Sequence, residues 1–171
     1  LKAMTIDILF VHPNASKIIY QELAKRSSAI EPPIWAGMLA NSVRNNGFRT
    51  EILDAEAMGF NYQECAERIL EYRARIICFV VYGQQPSASS QNMEGAVETS
   101  KKLKQLAPDI FTLFVGGHLA ALPEETLKAE HSIDAVCQNE GVYSIGEILQ
   151  IEKLEDYYLS KVNPIPAAAQ P

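Results

Sequence analysis

The stretch IICFVVY at residues 76–82 is a continuous apolar run rich in β-branched and aromatic residues. The turn-forming residues GQQPS follow it directly at positions 83–87. A short apolar run closed by Gly and Pro is typical of a strand buried on both faces, as in a parallel sheet covered by helices. We therefore expect residues 76–82 to form the central strand of such a sheet.

Strand-like and helix-like segments alternate along the rest of the chain. The predicted strands are residues 5–11, 48–53, 76–82, 110–115 and 133–137. The predicted helices are residues 33–45, 62–72, 91–106, 123–129 and 143–149. This alternation predicts an α/β fold, a doubly wound five-stranded parallel sheet in the flavodoxin-like or Rossmann-like order 2-1-3-4-5.

The chain of 171 residues suits one domain of ordinary size. Residues 4–150 carry all the predicted strands and helices. Residues 151–171 end in the low-complexity sequence VNPIPAAAQP, whose prolines favour an extended connector over a packed element. We predict a domain at 4–150 and a Pro/Ala-rich tail or linker at 151–171.

Charge and composition exclude several classes of partner. The formal net charge is −6, and the basic residues are scattered among acids, which argues against a nucleic-acid surface and against a membrane surface. No apolar run approaches the roughly 20 residues of a membrane span. Three widely spaced cysteines fit neither a CxxC metal site nor a disulfide framework, so we expect reduced thiols in the cytoplasm.

Open parallel sheets bind ligands beyond the carboxyl ends of their strands, so the loops at that edge are the candidate site. The long connection at 14–31 follows the first predicted strand, and residues 83–87 follow the central strand. The fourth strand ends in Gly116, Gly117 and His118. Glycines there let the backbone approach a flat ligand closely, although a plain tight turn is the alternative interpretation.

The sequence lacks the motifs of nucleotide-binding, zinc-binding and phosphoacceptor sites. Neither GxGxxG nor GxxxxGK[ST] occurs, so a nucleotide-phosphate cradle is not indicated. His12 and His118 both fall at strand ends, but no HxxxH or HExxH spacing supports a zinc site. Asp54 follows the second strand, yet the paired acids of a phosphoacceptor are missing after the first. Glu140 is open to interpretation as a helix cap, a solvated acid or a ligand contact.

Taken in order, short motifs from residue 6 to residue 149 resemble a known family. The residues that carry the resemblance are Pro32, Pro33, Gly37, Leu39, Ala40, Gly47, Glu51, Asp54, Tyr82, VGGH at 115–118, LPEE at 122–125, DAV at 134–136 and EG at 140–141. The chain resembles the cobalamin-binding domain that precedes the barrel in cobalamin-dependent radical S-adenosylmethionine enzymes. In place of the GEGE usual in that family, it carries Asn139, Glu140, Gly141 and Val142.

The resemblance implies that cobalamin is the cofactor, with cobalt carrying the chemistry and no catalytic residue in this chain. Residues 83–87 and 116–118 are expected to line the nucleotide tail, while residues 139–141 and the 14–31 connection flank the corrin ring. The expected cofactor-binding residues are Asn14, Tyr20, Gln21, Tyr82, Gly83, Gln84, Gln85, Ser87, Gly116, Gly117, His118, Asn139, Glu140 and Gly141.

Two motifs that are absent from the sequence bear on the cobalt ligand and on the partner of this domain. The DxHxxG motif that supplies a histidine to cobalt in other cobalamin domains is missing after the first strand, which implies base-off cobalamin without a protein histidine. The CxxxCxxC motif of the radical barrel is also missing, so a barrel partner is expected in the same protein or in another chain. From the residues alone, a ligand-free interaction or sensory domain and a flavin-binding domain remain alternatives.

Overall fold

The structure, a computed structural model, describes residues 6–14, 32–82 and 86–151; at residues 86–91, 118 and 120 it describes the backbone alone. Tyr20, Gln21, Gly83, Gln84 and Gln85 therefore lie outside the described residues, as do residues 152–171 of the predicted tail. The statements below concern the described part of the chain.

The core of the fold is a five-stranded parallel sheet in the order β2-β1-β3-β4-β5. Its strands are β1 (Ile6–His12), β2 (Thr50–Asp54), β3 (Ala74–Val80), β4 (Phe111–Val115) and β5 (Ala135–Cys137). The pairing of Phe10 with Cys78 and of Cys78 with Leu113 places β3 at the centre. The predicted fold class and strand order are confirmed.

Helices cover both faces of this sheet. They are α1 (Ile34–Asn45), α2 (Tyr62–Glu71), α3 (Pro86–Leu106), α4 (Gly117–Ala121), α5 (Pro123–Ala129) and α6 (Val142–Gln150). Helices α1 and α6 pack on one face, and α2 and α3 pack on the other. Because each strand runs parallel to its neighbours, the helical connection between successive strands must return the chain to the opposite end of the sheet.

The burial of strand β3 on both faces of the sheet explains why residues 76–80 are all apolar. Ile76, Cys78 and Val80 join the core beneath α1 and α6, whereas Ile77 and Phe79 join the core beneath α2 and α3. All five side chains are essentially inaccessible to solvent. Alternate side chains of a strand point to opposite faces, so a strand covered on both sides needs apolar residues at every position.

The structure corrects several boundaries. Strand β3 begins and ends two residues earlier than the predicted strand at 76–82. Helix α3 begins at Pro86, five residues before the predicted start at 91, so Pro86 and Ser87 are helical and not turn residues. Proline suits a first helical turn, where its missing N–H costs nothing. Gly117 and His118 of the predicted turn are the first residues of α4, a five-residue helix too short to show helical periodicity in the sequence.

A polar network fastens α3 to the sheet at its amino edge. The Asp134 carboxylate accepts hydrogen bonds from the Lys104 ammonium at 2.7 Å and from the Thr112 backbone N–H at 2.8 Å. The Thr112 hydroxyl lies 2.7 Å from the carbonyl oxygen of Ser132, and the Ser132 hydroxyl lies 2.6 Å from that of Ser100. These contacts join α3, β4 and the segment that enters β5.

Candidate functional site

The described segments at the carboxyl edge of the sheet include residues 116–118 and 139–141, which the sequence predicted to bind a ligand. Strands β1, β3, β4 and β5 end there at His12, Val80, Val115 and Cys137. Helices α1 and α6 both begin at this edge, because each runs antiparallel to the strands. The site is therefore assembled from segments that lie far apart in the sequence.

The two glycines after β4 have different surroundings. A Cβ atom on Gly116 would overlap the backbone oxygen of Val81, so the close approach of the segments that follow β4 and β3 favours glycine at this position. A Cβ atom on Gly117 would have no neighbour within 4 Å. Gly117 is exposed, whereas Gly116 is buried. Of the pair, Gly117 is the residue whose backbone faces open space at the ligand edge.

Tyr82 anchors an aromatic pair beside the end of β3. Its ring stacks on Trp35 of α1, with centroids 4.5 Å apart and planes inclined by 23°. Its backbone oxygen accepts a hydrogen bond of 3.1 Å from the Asn92 side chain of α3. Partial burial, followed by the Glu140 carboxylate, raises the pKa of the Tyr82 phenol, so the ring is uncharged at neutral pH.

The end of β1 is held by polar contacts to the segment after β2. The His12 ring nitrogen Nε2 lies 3.2 Å from the Glu56 carboxylate, and only 4% of His12 is exposed. The side-chain amide of Asn14 is buried and donates a hydrogen bond of 2.8 Å to the backbone oxygen of Phe60. Both side chains thus fasten β1 to the turn that follows β2.

The loop before α6 is shaped by its own contacts. Gly141 has a φ of +85°, a conformation that favours glycine, and a Cβ atom there would lie 2.9 Å from Val115. The side-chain oxygen of Asn139 accepts hydrogen bonds from the Gly141 N–H and the Ser144 hydroxyl. Glu140 is exposed between them. Asn139 and Gly141 therefore build the start of α6, and Glu140 is the side chain presented to solvent.

Sequence reasoning missed Trp35. Its place in the first turn of a helix that starts at the carboxyl edge of the sheet is the signal that could have found it. Ser87 and His118 are placed by their backbones at the starts of α3 and α4. The structure thus brings Tyr82, Gly117 and the 139–141 loop to one edge and adds Trp35 to them.

The remaining candidate chemistries find little support in the described residues. Within residues 6–14, 32–82 and 86–151, no three His, Cys, Asp or Glu side chains are grouped so that they could hold a metal ion. Cys65, Cys78 and Cys137 are buried free thiols. None of the described helices has the length and apolar character to cross a membrane.

Comparison with known proteins identifies a family model that matches most of the chain. The model of the B12 binding domain matches residues 23–149. A curated relative, the anaerobic magnesium-protoporphyrin IX monomethyl ester cyclase of Rubrivivax gelatinosus, is 27% identical over 137 residues. That match spans 78% of this chain but only 22% of the relative.

Two solved structures of the radical S-adenosylmethionine methyltransferase TsrM from Kitasatospora setae share the fold. The structure with tryptophan and aza-SAM bound has a TM-score of 0.60 at 16% identity and is matched over 83% of this chain. The structure with cobalamin and a [4Fe-4S] cluster bound has a TM-score of 0.51 at 18% identity, over 75% of this chain. This chain covers 24% and 21% of the two TsrM chains, about a quarter or less of each.

Proposed function

We propose, since this chain belongs to the B12-binding domain family, that it is a cobalamin carrier module that serves a radical S-adenosylmethionine methyltransferase or a related enzyme. The observation that carries the proposal is the family match over residues 23–149, which spans four of the five strands and all the described helices. Cobalamin is the cofactor of this family, which favours it over the flavin and ligand-free alternatives.

The carboxyl edge fits a large, flat, mostly uncharged ligand. Gly117 leaves open space at the end of β4, and the Trp35–Tyr82 pair offers an uncharged aromatic surface at the end of β3. Residues 116–118 and Ser87 would hold the nucleotide tail, and residues 139–141 would flank the corrin. Bound cobalamin supplies the cobalt chemistry, while the protein binds, orients and shields the cofactor.

The proposed lower face of cobalt has no protein histidine. Residues 13–31 contain no histidine, and the imidazole of His12 is buried against Glu56 at 3.2 Å. His131 follows α5 and lies toward the amino edge of the sheet, away from the proposed site. A buried imidazole already bound to a carboxylate would have to break that contact before it could reach a metal, which supports a base-off cofactor without a histidine ligand.

A radical barrel partner is the second part of the proposal. The relatives described above are whole enzymes, and this chain matches about a quarter or less of each. The 171 residues carry no CxxxCxxC motif for an iron–sulfur cluster. The catalytic barrel would therefore be supplied outside these residues, and methyl transfer or a related radical reaction is the proposed chemistry.

Cofactor binding is tested by mixing the purified chain with hydroxocobalamin, with flavin mononucleotide, or with neither, and then desalting. We expect the corrin absorption bands to remain with the protein and the flavin bands to be lost. Retention of flavin, or of no chromophore at all, would contradict the carrier proposal.

The axial ligand is tested by electron paramagnetic resonance of the bound cobalt(II) form. We expect no nitrogen splitting, because neither the cofactor's own base nor a histidine is bound. A splitting that disappears in His12→Ala or in His118→Ala would identify that histidine as a ligand, and a splitting that survives both substitutions would show a base-on cofactor.

A further inference from the structure

Exposed apolar side chains are concentrated where α1 and α6 begin. Five of the eight large apolar residues that are exposed in the described part of the chain lie in the first turns of these two helices, with exposed fractions between 36% and 63%. We call this surface the apolar rim; its members are Ile34, Trp35, Met38, Val142 and Tyr143. Apolar patches of this kind mark binding surfaces.

The two halves of the rim lie on neighbouring helices. Leu39 of α1 lies 3.7 Å from the position that a Cβ atom on Gly141 would occupy, so α1 packs beside the loop that precedes α6. Helix α6 starts one residue after Gly141. The rim therefore continues from the 139–141 loop, which the family resemblance assigns to the corrin.

The Trp35–Tyr82 stack gives the rim a fixed aromatic edge. Tyr82 is held from two sides, by Trp35 on α1 and by the hydrogen bond from Asn92 on α3 to its backbone oxygen. A stacked pair loses little further conformational freedom when a ligand packs against it. Trp35 remains 36% exposed, so part of its indole is available for such a contact.

We propose that Trp35, backed by Tyr82, is a cofactor-contacting residue whose exposed side packs against the corrin ring of cobalamin. This inference rests on the proposed cobalamin-carrier function. The rim residues are all uncharged, which suits the broad corrin with its uncharged amide and methyl periphery better than the phosphate-bearing nucleotide tail, since a phosphate requires charged or N–H donors. The open backbone at Gly117, on the next strand, is left for the tail.

The test compares two corrinoids, hydroxocobalamin and cobinamide, which has the corrin ring but lacks the nucleotide. Dissociation constants are measured by titration of the full chain and of Trp35→Ala. We expect Trp35→Ala to raise both constants by about tenfold and by the same factor, because an aromatic contact of about 1.4 kcal/mol is lost from the part common to both ligands. Trp35→Phe should raise them less.

Leu106→Ala is the matched control, because Leu106 is a similarly exposed apolar residue at the end of α3, on the opposite edge of the sheet. It should leave both constants unchanged. If circular dichroism shows that Trp35→Ala does not fold, the titrations are made with Trp35→Leu, which keeps an apolar, helix-forming side chain.

Three results would overturn the inference, and each has a different meaning. Unchanged constants in Trp35→Ala would assign the rim to another partner, such as a protein domain. Weakened binding of hydroxocobalamin alone would assign Trp35 to the nucleotide tail. Failure of the unsubstituted chain to bind either corrinoid would overturn the carrier function itself, and this inference with it.

Discussion

At the scale of single residues, adjacent glycines can serve different purposes. Gly116 and Gly117 are equivalent in the sequence, and both were predicted to let a ligand approach the backbone. The structure places the carbonyl oxygen of Val81 where a side chain on Gly116 would lie, whereas Gly117 faces open space. Gly116 is thus required by the fold, and Gly117 is the one available to the cofactor.

Alanine substitutions should separate these two roles. Gly116→Ala is expected to lower the free energy of unfolding by about 1–3 kcal/mol, because a backbone oxygen cannot move aside as a side chain can. Gly117→Ala, in the first turn of α4, should leave stability unchanged or slightly higher, since alanine favours helix. Urea unfolding measures both, and equal losses at the two positions would refute the distinction.

Gly117 has a further consequence for binding. Gly117→Val should fold normally, because φ at this residue lies outside the left-handed region and no atom obstructs a side chain. It should nevertheless weaken hydroxocobalamin binding, since a branched side chain would occupy the space assigned to the tail. Weakened folding with unaltered affinity would favour the plain-turn interpretation.

The buried cysteines should be inert until the chain unfolds. Burial raises the pKa of Cys65 to about 12 and that of Cys137 to about 12, and it raises the pKa of Cys78 as well. The unfolded thiols ionise near pH 9. Below pH 9 the thiols are protonated in both states, and their burial does not lower the free energy of unfolding. As pH rises from about 9 toward 12, the free energy of unfolding falls, because the unfolded state releases protons that the folded state retains.

Two measurements check this expectation. A thiol reagent at pH 8 should label none of the three cysteines in the folded chain and all of them in urea. Thermal unfolding followed between pH 8 and 11 should show a falling melting temperature above pH 9. Rapid labelling of the folded chain at pH 8 would mean that one of these strands or helices opens readily.

At the scale of secondary structure elements, the long helix α3 depends on a charged contact at its far end. The Lys104 ammonium and the Asp134 carboxylate are 20% and 12% exposed, so their contact at 2.7 Å is largely shielded from water. The same carboxylate accepts the backbone N–H of Thr112 at the start of β4. The Asp134 carboxylate therefore links α3 directly to β4.

Asp134→Asn should cost about 1–3 kcal/mol in the free energy of unfolding, because the shielded ammonium of Lys104 loses its counter-charge while the packing is preserved. The matched control is Glu124→Gln, which removes the carboxylate of an exposed pair with Lys128 and should change stability by less than about 0.5 kcal/mol. Chemical denaturation provides both values. A loss at Glu124 as large as that at Asp134 would contradict this account.

At the scale of the whole molecule, the predicted domain boundary near residue 150 depends on how α6 ends. The Arg75 guanidinium at the start of β3 donates hydrogen bonds to the backbone oxygens of Leu149 at 2.7 Å and Ile151 at 2.8 Å. These bonds satisfy carbonyl groups that a helix end would otherwise leave unpaired. They fix the last described residue of the chain to the amino edge of the sheet.

Shortening the chain to residues 1–151 should therefore change the melting temperature by less than about 3 °C, equivalent to about 1 kcal/mol. The shortened chain should also retain hydroxocobalamin after desalting. Arg75→Met in the same shortened chain is the positive control and should lower the melting temperature. A large drop on shortening alone would show that residues 152–171 pack on the domain.

The sequence by itself determined the architecture of this protein. Strand and helix periodicities are local properties, and their alternation, with a doubly buried run at residues 76–82, left the parallel order 2-1-3-4-5 as the simplest arrangement. The order of the short motifs also identified cobalamin as the ligand. These features can be predicted from local sequence patterns, without knowing which distant residues are in contact.

Only the tertiary structure decided the details of the edge. Trp35 meets Tyr82, His12 meets Glu56, and Gly116 meets Val81 across 47, 44 and 35 positions of sequence. No local pattern encodes such pairings, because they arise from strand register and from the way each helix packs across the sheet. The division of work between Gly116 and Gly117, and the exposure of Trp35 at the rim, follow from that packing.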